Sequence, residues 1–285
     1  MSKKIREEIL ICPECQSRKL RFEKQKIICE KCQKTYRQID NKFIFLKLTK
    51  DDISDPLDRL KYFFKKYSKF YNFLTFLISP VYMNIFWELK RFIKKRVDEK
   101  DIIAINIGSG NLDLSKNISN IDIFNYRATN IVCNIEKLPF KDNSINVVII
   151  TAVLEHVTNP QKVISEIFRV LKGDGYIYCL FPFIQGFHAS PYDFSRQTHE
   201  GVKLLFKNFK PVELKCSGGP TSGFLWIFQE WLSIMLSFGI KPLYTVVYLI
   251  VMVLTFPLKF LDILLINYPT AKNISSGFIY IGQKK

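Results

Sequence analysis

Acidic side chains are scarce in this chain. Its 285 residues hold 26 Asp and Glu against 42 Lys and Arg, a formal net charge of +16. That balance disfavours a polycationic partner and suits an anionic one, an acidic membrane face or RNA. The crowding of Lys, Ile, Asn and Phe is also what an AT-rich genome encodes, so charge alone assigns no function. An apolar run near the N-terminus is missing as well: MSKKIREEIL is charged, and no signal-peptide core follows it. The chain is therefore expected to face the cytoplasm with its thiols reduced.

Cysteine is concentrated. Four of the seven fall in two pairs, Cys12-Pro-Glu-Cys15 and Cys29-Glu-Lys-Cys32, thirteen residues apart. Two such knuckles joined by a hairpin bring four thiolates to the corners of a tetrahedron, the geometry of structural zinc. Two disulfides of a secreted module are the alternative, and the missing signal peptide weighs against them. A closed four-thiolate site has no open coordination position, so its work is folding or docking rather than catalysis. LRFEKQKIIC reads as a short strand pair and TYRQIDNKFIFL as a third strand, which gives a zinc-ribbon-like module over 1–50.

Residues 51–100 interleave aromatics with Lys and Arg at helical spacing, broken at Ser79-Pro80. They form either a basic amphipathic helix pair on a membrane or a helical lid packed on the main domain, which is the commoner fate of an amphipathic helix. Beyond Asp101, strand-like runs at 102–107, 117–123, 130–133, 145–151 and 175–181 alternate with helical pattern. The clearest helix, 160–172, carries Val163, Ile167 and Val170 or Leu171 on one face, Pro160 in its first turn and Gly173 past its end. Such alternation predicts an α/β fold with a parallel sheet covered on both faces, ligands binding at the carboxyl ends of the strands. There, Gly108 and Gly110 follow a strand directly and let backbone approach a ligand. A third glycine is lacking, with Asn111-Leu112 in its place, which argues against a pyrophosphate cradle and for a ligand without phosphates. Asp122 closes the next strand, where an acid can accept both hydroxyls of a ribose.

Ile105-Asn-Ile-Gly-Ser-Gly-Asn, then Ile121-Asp122-Ile, then CNIEKLPFKDNSINVVIITAVLEHVTNPQKVISEIFRVLKGDGYIY resembles class I S-adenosylmethionine-dependent methyltransferases of the type 11-like group, over about 102–217 and again at 276–284. The N-terminal segment is similar to a Trm112-like zinc ribbon. The resemblance implies a Rossmann-like seven-stranded sheet with helices on both faces. It places Asn106, Gly108, Ser109 and Gly110 along the methionine part of the cofactor and Asp122 at the ribose. Asn134, Ile135 and Leu138 fall at adenine, Thr151 and Ala152 on the methionine side, and His156 faces the cleft. Three positions depart from the common pattern: Asn106, Asn134 and Asn146 stand where that family usually has acids. An amide still accepts a hydrogen bond but lacks the charge, which weakens each contact by about 1 kcal/mol.

FPFIQGFHASPYDFSRQT, after the fifth strand, puts His188, Tyr192, Asp193 and Arg196 in a loop overhanging the acceptor end, and a similar segment occurs there in the related subgroup. His188 is a candidate base; alternatively Asp193 and Arg196 only pair to fix the loop. PVELKCSG and SGFIYIGQKK read as the sixth and seventh strands, so the methyltransferase domain covers 101–219 and 275–285, and the apolar stretch 220–274 is an insertion. Within it Pro242–Leu258, 17 residues, carries no charge, at the lower limit for spanning a bilayer. If the strands on either side pair, both ends lie on one side of a membrane. With Glu230 mid-helix, a monotopic hairpin is then favoured over two spans, with Lys241, Lys259, Lys272 and the basic 61–96 region toward anionic headgroups. A helical cap buried on the domain or in a dimer is the alternative. The sequence thus points to a membrane-associated methyltransferase with structural Zn2+ at Cys12, Cys15, Cys29 and Cys32. Its acceptor would be a lipid-linked sugar, a quinone precursor or another amphiphile. The alternatives are an RNA methyltransferase and a non-catalytic S-adenosylmethionine binder.

Overall fold

The computed structural model describes residues 7–39, 42–46, 77–82, 84–98, 101–188 and 192–285. Most of the basic aromatic segment, 51–76, lies outside them. The strands are β1 (Leu20–Glu23), β2 (Lys26–Cys29), β3 (Thr35–Ile39), β4 (Lys42–Ile44), β5 (Ala104–Ile107), β6 (Ile118–Asp122), β7 (Ile131–Val132), β8 (Ile145–Thr151), β9 (Leu171–Pro182), β10 (Phe209–Ser217) and β11 (Gly277–Lys284). Among the described residues they form one sheet in the order β1-β2-β3-β4-β7-β6-β5-β8-β9-β11-β10. From β7 to β10 this is a seven-stranded, Rossmann-like methyltransferase sheet. It is parallel except for β11, which runs antiparallel between β9 and β10.

Period-two alternation explains how that sheet buries both faces. Ile105, Ile107, Val148, Ile150, Ile177 and Cys179 share a core with Val163, Ile164, Ile167 and Val170 of α2 (Pro160–Val170). The intervening residues Ala104, Val147, Ile149 and Tyr178 face Leu89 and Phe92 of α1 (Ile85–Arg96). For 85–96, packing on the domain is therefore the arrangement found, and this helix is one layer of the α/β domain. The Asn159 side chain accepts from the Lys162 amide and caps α2, with Pro160 following.

The ribbon is not a separate bead. The expected third strand is split into β3 and β4, and β4 pairs in parallel with β7. Phe43 and Phe45 donate backbone hydrogen bonds to Asn130 and Val132 at 3.0 and 2.8 Å. A second seam joins Ile11 N to Pro139 O and Lys141 N to Ile9 O. The physical reason is that two-residue β7 would otherwise leave the edge of the sheet unpaired beside the cleft.

The insertion folds as α4 (Pro220–Ser237), α5 (Lys241–Thr255), a 3-10 stretch Phe256–Leu261 and α6 (Asp262–Leu265), after the short α3 (His199–Leu205). Its polarity is reversed. Asp262, fully buried, accepts from the amides of Gly219, Thr221 and Ser222 at 2.8–2.9 Å and so caps the start of α4. Buried Lys259 donates to the carbonyls of Leu77 and Ser79. Gln229, Ser233 and Ser237 are buried too, while Phe238, Leu254 and Leu264 are 83, 73 and 68% exposed. Lys241–Leu265 is the one described helical stretch long and apolar enough to cross a membrane by length and composition, and few of its residues are buried.

Candidate active site

Parallel strands expose their carbonyl ends at one edge, and a crevice opens where successive connections leave in opposite directions. Here that point is β5, flanked by β6 and β8. A cleft of about 560 Å³ opens above it, lined by the turns that end β5 (Gly108, Gly110), β6 (Asp122, Ile123, Phe124), β7 (Asn134, Ile135, Glu136) and β8 (Ala152, Val153, His156). Leu46 from the ribbon and Tyr192 and Phe194 from the acceptor loop complete it. A second cavity of about 580 Å³ lies at the opposite, amino-terminal edge, beside Ile103, Ala104 and Ser119, away from these turns.

Gly108 and Gly110 both have left-handed backbones, φ +66° and +54°. A Cβ on Gly108 would stand 2.3 Å from Val153 Cγ2, so the turn closes only on glycine. Asp122 is held from two sides: Oδ2 accepts from Gly110 N at 2.8 Å and Oδ1 from Phe124 N at 3.0 Å. Each oxygen keeps a lone pair for another donor. Burial raises the Asp122 pKa, against the backbone hydrogen bonds that lower it. Ala152 is a non-glycine residue at φ +52° in the cleft wall, a strained conformation of the kind that collects at ligand sites.

Not all expected cofactor residues meet here. Gly108, Gly110, Asp122, Asn134, Ile135 and Ala152 line the cleft, as does His156 of the expected catalytic residues, whereas Asn106, Ser109, Leu138 and Thr151 do not. Leu138 lies in the core, its carbonyl held by Arg169 at 3.0 Å and its amide by Glu166 at 2.9 Å. Asn106 donates to Asn120 across β5 and β6, and Asn146 accepts from Ile103 N. Those two amides where acids were expected thus serve strand pairing. Asn134 remains at the surface of the cleft, its Oδ1 accepting from Glu136 N. The turn after Gly110 leads to β6 without a helix, in keeping with the missing third glycine.

Beyond His156 the acceptor loop folds back, tied by Phe194 N to Glu155 O at 2.8 Å. Arg196 chelates Asp193 with both Nη atoms, and Asp193 Oδ2 accepts from His188 N at 2.9 Å. Arg196 holds the Asp193 pKa down at about 2. Glu155 Oε1 lies 3.8 Å from Nε2 of both His156 and His188, too far for a hydrogen bond but close enough for charge attraction. The Glu155 carboxylate raises the His188 pKa despite partial burial. Sequence reasoning quoted Glu155 within its signature and gave it no role; its place beside His156 was the available signal.

At the ribbon, the Sγ atoms of Cys12, Cys15, Cys29 and Cys32 lie within 4.8 Å of one another, with Cys12–Cys32 at 3.7 Å and Cys15–Cys29 at 3.5 Å. Zinc–sulfur bonds of about 2.3 Å in a tetrahedron place sulfurs roughly 3.8 Å apart, so the donor set fits zinc. All four thiols are free.

The sheet and the cleft at its carboxyl edge have the Rossmann-like methyltransferase fold. Residues 88–179 match the model of a family described as a methyltransferase domain. Over 133 residues, 42% of this chain, the sequence is 33% identical to an uncharacterized protein of Methanocaldococcus jannaschii, and the chain spans 59% of that relative's length. Among solved structures, it resembles the [4+2]-cyclase SpnF (15% identity, TM-score 0.45, 69% of this chain and 80% of that one). It also resembles Haemonchus contortus phosphoethanolamine N-methyltransferase 2 bound to S-adenosylmethionine (15%, 0.41, 70% and 52%).

The raised Asp122 pKa gives a pH test. Burial favours the neutral form, so the ligand-free protein gains stability as pH falls through the folded pKa, while a ribose held by the Asp122 anion, as the sequence resemblance implies, would bind more weakly. Calorimetric affinity for S-adenosylmethionine should therefore fall as the pH drops toward the raised Asp122 pKa, and begin to fall at a higher pH than for an ordinary aspartate. Asp122→Asn should bind at least tenfold more weakly at neutral pH and lose this pH dependence. Equal affinity in the variant would remove Asp122 from the site.

Proposed function

We propose that this protein transfers the methyl group of S-adenosylmethionine to an amphiphile that it meets at the cytoplasmic face of a membrane, such as a lipid-linked sugar or a quinone precursor. The observation that carries this reading is the reversed polarity of the insertion: Gln229, Lys259 and Asp262 point inward, and large apolar side chains cover much of the outside. Water does not stabilise such a surface, whereas an acyl boundary does. The insertion also reaches the acceptor end of the cleft, since the Trp226 ring of α4 lies 5.9 Å from that of His188.

S-adenosylmethionine, when bound, supplies a methyl already activated by the sulfonium, so the protein has chiefly to align donor and acceptor. In this reading Asp122 accepts from the ribose hydroxyls, Asn134 and Ile135 flank adenine, and Gly108, Gly110 and Ala152 hold the methionine end. A hydroxyl acceptor must lose a proton, and Glu155, His156 and His188 are the groups at that end. Asp193 and Arg196 position His188. The four ribbon cysteines hold structural zinc.

Two measurements test the proposal. Incubation with methyl-labelled S-adenosylmethionine and whole-cell extract of the source organism should place label in the organic or glycan fraction. Label in RNA would instead make the ribbon and basic surface the recognition elements. Co-sedimentation with anionic vesicles should fall at least tenfold for the pair Leu254→Asp and Leu264→Asp. Unchanged sedimentation, or a dimer dissolved by these substitutions, would assign the face to a second copy of the chain.

A further inference from the structure

Glu155 is fully buried, and neither of its carboxylate oxygens has a hydrogen-bond partner among the described residues. An anion so placed is costly unless a positive charge meets it. Arg196, the nearby cation, already chelates Asp193. Among the described residues, two imidazoles stand closest to its carboxylate as possible carriers of positive charge. Ligand atoms of Glu155, His156 and His188 all lie within 4.8 Å of one another.

The tautomers are set from outside the cluster. His156 Nδ1 faces the carbonyl of Tyr192, and His188 Nδ1 that of Gly186 at 3.2 Å. A carbonyl only accepts, so Nδ1 is the donor in each ring and Nε2, 3.8 Å from Glu155 Oε1, is the nitrogen each ring would offer to a cation. Arg196 Nη2 also stands 3.2 Å from His188 Nδ1, but its two hydrogens are taken by Gly186 O and Asp193 Oδ2. A backbone carbonyl behind each imidazole is the support that metal-ligating histidines use.

We infer that Glu155, His156 and His188 bind a divalent transition-metal cation at the acceptor end of the cleft. Two imidazoles and one carboxylate suit Zn2+, Mn2+ or Fe2+ rather than Ca2+. Bonds of about 2.1 Å would draw the donors from 3.8 Å toward roughly 3.4 Å, a small closure. Three protein ligands leave coordination positions open. Because His156 lines the cleft, those positions face the acceptor.

The catalytic consequence rests on the methyltransferase reading above; the binding does not. An acceptor hydroxyl on the cation ionises more readily, its proton passing to water. The oxygen lone pair then forms the O–CH3 bond as the S–CH3 bond breaks, and that bonding pair stays on sulfur. The acceptor class is thus an alcohol or phenol.

The test uses Mn2+ alone as the probe, on the full chain with its ribbon loaded with zinc, because four thiolates select zinc over Mn2+. Loss of the free Mn2+ electron paramagnetic resonance signal should report one ion bound per chain. His188→Ala and Glu155→Gln should each weaken that binding at least tenfold. His188 lies outside the cleft lining, so His188→Ala should keep its calorimetric affinity for S-adenosylmethionine, which shows it folded whatever becomes of Glu155→Gln. No Mn2+ uptake, or uptake equal in wild type and His188→Ala, overturns the cation site and leaves the methyltransferase reading standing. Failure to bind S-adenosylmethionine with Mn2+ uptake intact does the reverse.

Discussion

Gly108→Ala should lower affinity for S-adenosylmethionine by at least about 100-fold, close to 2.7 kcal/mol, and destabilise the protein by about 2–4 kcal/mol. Two costs combine. The backbone sits at φ +66°, where an L side chain is disfavoured by about 1–2 kcal/mol. The added Cβ would also stand 2.3 Å from Val153 Cγ2, which drives the turn after β5 and the turn after β8 apart. Both turns line the cleft. Gly110→Ala is the control: its φ is +54°, but nothing lies within 4 Å of the added atom. It should cost only the backbone penalty of about 1–2 kcal/mol of stability. Calorimetry and thermal melts of the two variants make the comparison. Equal behaviour of the pair would mean that the contact with Val153 does not shape the site.

If the ribbon holds the zinc proposed for it, removing that metal should be felt across the domain. Structural zinc contributes on the order of 10 kcal/mol to the fold that it closes. Here that fold is four strands of a shared sheet. Without the metal, β1 to β4 should lose order, β7 should become an exposed edge, and Leu46 should leave the cleft wall. The paired substitution Cys29→Ser with Cys32→Ser should therefore lower the melting temperature by about 10 °C or more and also weaken S-adenosylmethionine binding. Metal analysis of the purified chain and melts with and without a chelator check this. A protein that carries no zinc and melts as before would show the ribbon held by the β4–β7 pairing alone.

Local chemistry made much of this protein legible in the sequence. Paired cysteines at tight spacing, glycines after a strand, an acid at the end of the next strand and a helix that begins at Pro160 each declare themselves within a few residues, although the helix ends at Val170 rather than 172, where β9 takes over. Their geometry follows from backbone and ligand preferences that need no distant partner. The positions of the strands along the chain were also readable, with the last two flanking one insertion, although no helix lies between β5 and β8 among the described residues.

Long-range packing decided the rest. Nothing local marks Val153 as the side chain that forbids a Cβ at Gly108, or Leu138 as core rather than cofactor wall, since both depend on what stands opposite. The same holds for β4, whose three residues join the methyltransferase sheet only because β7 offers an unpaired edge. In the insertion, composition alone permitted a buried cap or a lipid-facing hairpin. Only the tertiary structure turned Asp262 and Lys259 inward and the leucines outward, because helix termini and backbone carbonyls from distant segments satisfy those charges. His156 and His188 are 32 residues apart in the chain, and a loop folded back over β8 sets them around one buried carboxylate.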